Sequence, residues 1–110
     1  MTMAVDEVMK LGEKLRLLVR HKEWVALDSI LDAIDCTAED GTPEGYRRGM
    51  IVGVHAGFLN RAAPHMRERE SFVSFIARYQ AALDASPILG VRGTRAETVL
   101  GIAPLKPVVS

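Results

Sequence analysis

Three histidines and one cysteine are the side chains of this 110-residue chain that are best suited to acid–base, nucleophilic or metal chemistry. A zinc or catalytic centre needs several such groups at ligand or triad spacing. His21, His55 and His65 have no second histidine three or four residues away, and none of them lies near Cys36 in a metal-ligand pattern. The sequence therefore predicts no metal site, no bound cofactor and no nucleophile built on Cys36.

His55 is the histidine with the most unusual surroundings, because it interrupts the apolar run from Met50 to Leu59. A histidine in such a run is usually a hydrogen-bonded core or interface residue. No serine stands in a nucleophile-elbow motif, and the glycines lack the lysine and hydroxyl residues of a phosphate loop. We predict that the chain is not an enzyme, with a small enzyme that uses His55 as its base as the remote alternative.

Asp28, Asp32 and Asp35 place three carboxylates on one side of a predicted helix. Carboxylates spaced in this way can hold a divalent ion or do acid–base work. Here they occupy the polar face of an amphipathic helix, where acids are normally solvated. We interpret the three as a solvated acidic surface on which a partner could dock.

The charges are divided unevenly between the two parts of the chain, although the net charge is zero. Residues 1–40 carry nine acids and five bases, and residues 41–110 carry five acids and nine bases. A nucleic-acid-binding regulator that uses the arginines of the second part is the main alternative function, but interleaved acids and the neutral total weigh against it. The arginines that we predict to bind a partner are Arg47, Arg48, Arg67 and Arg69.

Apolar residues at helical spacing predict two amphipathic helices in the first third of the chain, over about 5–20 and about 22–35. The second opens with Trp24 and Leu27, three residues apart. In this respect the chain resembles small accessory proteins of bacteria and their phages, a likeness of type that indicates no particular family.

A four-residue glycine spacing marks the third predicted helix, which begins at Pro43 behind a Thr42 cap and extends to about Asn60. Each interior glycine costs about 1 kcal/mol relative to alanine, so the spacing indicates close packing against another backbone. We expect the first, second or fourth helix to cross it within one chain, and contact between chains is the alternative. After Gly41, the residues of this glycine stripe are Gly45, Gly49, Gly53 and Gly57.

Apolar residues beside the glycine stripe, including Met50 and Val54, predict that the third helix is the buried centre of the fold. A short buried strand over 50–54 is the alternative, since β-branched residues favour strands. The proline-led start and the long regular spacing favour the helix.

The last third of the chain predicts a fourth helix that follows Pro64 and ends near Ser86, and a short fifth helix at about 95–100. Thr94 to Glu97 fits a capping box, and Gly101 fits a helix stop. The residues after Ala103 are expected to be extended, and we interpret them as an arm that contacts a neighbour. The arm residues proposed for contact are Pro104, Leu105, Pro107, Val108 and Val109.

These elements predict an all-α fold with one domain over 1–102, consisting of a compact bundle of four main helices and a short C-terminal helix, followed by an extended tail over 103–110. We find no signal peptide or membrane-spanning run, and the single cysteine favours a reducing compartment. The sequence is thus expected to encode a soluble, cytoplasmic protein. We predict a non-catalytic protein-interaction module, a small accessory subunit or adaptor that associates with itself or docks on a larger partner.

Overall fold

The computed structural model describes residues 5–34, 36, 42–87, 89–103 and 105, and the side chain of Tyr46 also lies outside that description. No strand occurs in the described residues, so the all-α class is confirmed and the strand alternative over 50–54 is wrong. The elements are α1 (Val5–Arg20), α2 (Trp24–Ala33), α3 (Pro43–Ala62), a 3₁₀ helix (Pro64–Glu68), α4 (Glu70–Asp84) and α5 (Ala96–Leu100).

The first two helices are amphipathic, and both bury one face. Helix α2 is shorter at each end than the sequence predicts. Lys22 has a left-handed backbone with φ of 54°, which excludes it from a helix, and Ile34 is extended. The helix therefore begins at Trp24 and ends at Ala33, and Asp35 lies outside the described residues.

Helix α3 begins as the sequence predicts, because the Thr42 hydroxyl accepts a hydrogen bond of 3.0 Å from the Gly45 N–H. It buries Val52 and Leu59 in the core. Its opposite side is open, since Met50 is 57% exposed and Val54 is 56% exposed. The expectation that the apolar residues beside the glycine stripe would bury this helix is therefore wrong for Met50 and Val54.

The glycine stripe packs mainly against α5, which the sequence analysis did not consider for that role. A Cβ at Gly53 would lie 3.6 Å from the Val99 carbonyl oxygen, and one at Gly57 would lie 3.8 Å from the Leu100 carbonyl oxygen. A Cβ at Gly49 would lie 3.3 Å from the Tyr79 hydroxyl of α4. Gly45 is buried in the first turn of α3, and Gly41 is not described.

Helix α1 crosses α3 through a glycine of its own. Gly12 is buried, and a Cβ there would overlap the imidazole of His55. The first helix therefore approaches α3 closely, but the residue that allows the approach is Gly12 and not a member of the glycine stripe.

Helix α5 is attached by a side chain of α4 and not by the predicted capping box. Its N-cap residue is Arg95, which makes no side-chain cap hydrogen bond. The Gln80 amide oxygen accepts from the Ala96 N–H at 2.8 Å, and its NH₂ group donates to the Thr94 carbonyl at 3.2 Å. At the other end Gly101 is left-handed with φ of 68°, as predicted, and the helix stops there.

Candidate interaction site

An apolar groove of about 490 Å³ lies between α1 and α3. Its floor forms where His55 lies on Gly12, because the missing side chain lets the ring reach the α1 backbone. Met9, Ile51 and Val54 supply its apolar lining. The local cause of the groove is therefore the close α1–α3 crossing.

His55 holds the floor of this groove in place. It is 8% exposed, and its Nε2 lies 2.7 Å from the Val8 carbonyl oxygen. Because a carbonyl only accepts, Nε2 carries the proton and Nδ1 does not. Burial lowers the pKa of His55 below its ordinary 6.5, the bond to Val8 opposes that shift, and the Arg16 charge adds to it. The buried, hydrogen-bonded histidine that the sequence favoured is confirmed.

The groove opens onto a patch of apolar side chains, three of them exposed and one, Ile51, half-buried. Met9 is 54% exposed, and it faces the groove together with Val54, whose neighbour Met50 is one helical turn away. We call Met9, Met50, Ile51 and Val54 the apolar patch. Sequence reasoning missed it because helical spacing alone does not distinguish a covered apolar face from an open one.

Charged residues of α1 form the rim of the groove. Asp6, Lys10, Glu13 and Arg16 all line it, and all four are exposed. The Arg16 guanidinium lies over the Phe58 ring at 5.1 Å from its centroid. In the part of the chain that is described, no ion pair involves Asp6, Lys10 or Glu13. These charges are therefore open to a partner.

Part of the predicted acidic surface of α2 makes contacts within the fold and does not face solvent freely. Asp28 accepts hydrogen bonds from Arg69 at 3.0 and 2.5 Å and from the Ser71 hydroxyl at 2.6 Å. The Arg69 bond lowers the pKa of Asp28 below its ordinary 3.8, and burial acts against that shift. The solvated interpretation is thus wrong for Asp28, whose carboxylate joins α2 to the start of α4. Asp32 is exposed and lines a polar cleft together with Asp28 and Arg69, and Asp35 lies outside the described residues.

The four arginines predicted to contact a partner do not form a single surface. Arg47 is exposed, whereas Arg48 is buried, with its guanidinium 3.8 Å from Glu44. Arg67 donates to the Ala103 carbonyl at 2.9 Å, and Arg69 is paired with Asp28. Three of the four therefore make contacts within the chain.

The predicted C-terminal arm is described only in part. Leu105 is half-buried and packs against the core, close to the point where Arg67 holds Ala103. The other predicted arm residues lie outside the described part of the chain, and they are Pro104, Pro107, Val108 and Val109.

The remaining groups suited to chemistry are a buried cysteine and scattered polar side chains. Cys36 is a buried thiol whose sulfur lies 3.8 Å from the Phe75 carbonyl oxygen. In the described residues, no three His, Cys, Asp or Glu side chains gather as metal ligands would. None of the described helices has the length and apolar character needed to cross a membrane.

Comparisons with protein-family models, with curated proteins and with solved structures find no match to this chain. The groove, its apolar patch and its charged rim are the features of the described residues that bear on function.

Proposed function

We propose that this protein is a non-catalytic protein-interaction module that docks through the groove between α1 and α3. The observation that carries the proposal is the apolar patch, in which Met9, Met50 and Val54 are each more than half exposed. Met9 and Val54 line the groove, and Met50 lies one helical turn from Val54 on α3. Clustered apolar exposure of this kind marks interaction surfaces on soluble proteins, whereas scattered single residues do not.

The composition of the apolar patch suits a protein partner. Methionine side chains are flexible and polarizable, so Met9 and Met50 can adapt to an opposing surface. Each of these half-exposed side chains contributes about 1 kcal/mol when its remaining surface is covered. Apolar patches surrounded by polar groups are the usual anatomy of a protein interface.

We favour the groove over the three surfaces that the sequence suggested. Asp28 and Arg69 already satisfy each other, and Arg67 is bonded to the backbone of Ala103. The engagement of Arg67 and Arg69 also weighs against the nucleic-acid alternative, because phosphate binding needs basic groups that can reach the phosphates. An accessory subunit or adaptor in the cytoplasm of a bacterial or phage-infected cell fits this proposal and the presence of a single cysteine.

The test is site-specific photo-cross-linking in cells of the organism that encodes the chain. A photoreactive phenylalanine analogue at position 54 is compared with the same analogue at position 91, since Val91 is 85% exposed but stands outside the groove. We expect protein adducts from position 54 that are absent from position 91.

Equal labelling at the two positions would contradict the proposal. Adducts at position 54 that disappear on nuclease treatment would favour the nucleic-acid alternative instead. The adducts are identified by mass spectrometry, which separates a second copy of the chain from a foreign protein.

A further inference from the structure

We infer that the occupant of the groove is a second copy of this chain, with the two α1 helices antiparallel across a two-fold axis. This inference rests on the proposed function and specifies the partner of the same groove. It is carried by the order of charges along the groove-facing side of α1.

The rim begins with an acid and ends with a base, and it has a base and an acid between them. In chain order its residues are Asp6, Lys10, Glu13 and Arg16, an acid followed by a base and then an acid followed by a base. Reversing the direction of the helix turns this order into base, acid, base, acid. The rim is therefore complementary to an antiparallel copy of itself, and its net charge is zero.

A single register brings both kinds of pair together. A two-fold axis level with Leu11 places Asp6 opposite Arg16 of the second copy, and Lys10 within one residue of Glu13 of that copy. Because Asp6 and Arg16 are ten residues apart, the two Asp6–Arg16 contacts lie about 15 Å from each other along the paired helices. Each contact occurs twice, as an interface between identical subunits requires.

The apolar patch lies where this arrangement needs it. Met9 is two residues from the level of the axis, so the two Met9 side chains approach each other near the centre of the interface. Val54 faces the same groove from α3 and would be covered by the second copy. Apolar contact in the centre with ion pairs around it is the normal layout of a protein interface.

A foreign partner would not require a rim whose charges are complementary to their own reversed order. A basic or acidic partner would favour a rim of one sign, because charge complementarity selects the partner and excludes others. Here both signs are present in an order that matches its own reversal. The charge pattern therefore favours a second copy over a partner of either net charge.

The experiment measures self-association of the full chain by light scattering and sedimentation, up to roughly 1 mM, where even a dimer with a dissociation constant of about 1 mM is populated. Two charge-reversal variants are made, Asp6→Arg and Arg16→Asp. Each places like charges opposite one another at both symmetry-related contacts, so we expect each to weaken the dimer about 10- to 100-fold.

Mixing the two variants provides the decisive measurement. In a heterodimer, the arginine introduced at position 6 of one chain faces the aspartate introduced at position 16 of the other. The unmodified Arg16 of the first chain faces the unmodified Asp6 of the second, so both contacts become attractive again. We therefore expect each variant alone to show the weakened dimer, and the mixture to dimerise with the affinity of the unmodified chain. The matched control is Lys14→Asp, an exposed change on α1 outside the groove, which should leave the dimer unchanged.

The outcomes separate the inference from the proposed function. A monomer at all concentrations would overturn the inference, whereas position 54 could still cross-link a foreign protein and uphold the proposed function. A dimer that Lys14→Asp weakens as strongly as the two reversals do, or that the mixture does not restore, would overturn the antiparallel α1 register. Far-UV circular dichroism confirms that each variant is folded.

Discussion

Gly12 and His55 are complementary at the level of single residues. The glycine leaves the space that the imidazole occupies, and the imidazole donates a hydrogen bond to the α1 carbonyl one turn earlier, at Val8. The carbonyl gains a second donor and the buried ring nitrogen gains an acceptor. The two residues lie more than forty positions apart in the sequence, so the pattern around either one does not reveal the contact.

Gly12→Ala tests this pairing directly. The added Cβ would overlap the His55 ring, so we expect a loss of roughly 1–3 kcal/mol in the free energy of unfolding, measured by urea denaturation. In a His55→Ala background the same substitution should be stabilising by up to about 1 kcal/mol, because the space is then empty and alanine favours the helix. An increase in stability with His55 present would contradict the described crossing.

His55 also makes stability depend on pH. Its pKa is lowered in the folded state, so below the ordinary value of 6.5 the unfolded chain takes up a proton that the folded chain does not. Stability should therefore be full above pH 6.5 and fall as the pH drops from there toward the folded-state pKa. The check is urea denaturation at several pH values, with His55→Gln as the comparison. A variant that keeps the same slope in this window would show that another group is responsible.

At the level of elements, a few specific polar contacts between side chains and neighbouring helices join the described helices, in addition to the apolar core. Asp28 and Arg69 connect α2 to the start of α4, while Gln80 connects α4 to α5. Helix α5 in turn lies over the glycine stripe of α3. Each contact joins two helices that are distant in the sequence or short by themselves.

Two substitutions at one glycine test how closely α5 lies on α3. At Gly53 the nearest atoms lie 3.6 to 3.7 Å from an added Cβ, which is ordinary contact distance. Gly53→Ala should therefore be neutral or stabilising by up to about 1 kcal/mol. Gly53→Leu should cost roughly 1–3 kcal/mol, because its larger side chain displaces α5. Thermal or urea unfolding distinguishes the two. If Gly53→Leu leaves the stability unchanged, this side of α3 must face solvent.

The Asp28–Arg69 pair gives a prediction at more acidic pH. Because the pKa of Asp28 is lowered in the folded state, the pair stabilises the fold above pH 3.8 and loses its effect as the pH falls through the folded-state pKa. Asp28→Asn should remove this part of the acid dependence and cost about 1 kcal/mol at neutral pH, since the pair is partly solvent-exposed. Acid denaturation followed by circular dichroism provides the measurement, and Asp32→Asn is the matched control. A similar loss from both variants would contradict a specific role for Asp28.

For the whole molecule, the sequence predicts the helices well and their mutual arrangement poorly. The Thr42 cap and the Gly101 stop depend on neighbouring residues, and both are present. The cap of α5 comes from Gln80, and no local pattern around Thr94 could have indicated it. The exposure of Met50 and Val54 likewise could not be predicted from the sequence, because burial depends on which helices cover a face. Helical periodicity reports an apolar face but not its neighbours.

The attachment of α5 has a consequence for the order of folding. A helix of five residues is too short to form by itself in water, and the N–H of its first residue is bonded to a side chain of α4. We expect α5 to dock only after α3 and α4 have met, on the late side of the folding transition state. Gln80→Ala should then accelerate unfolding and leave the refolding rate nearly unchanged in stopped-flow experiments. During synthesis on the ribosome, α5 emerges after α1 to α4 and would also fold after them.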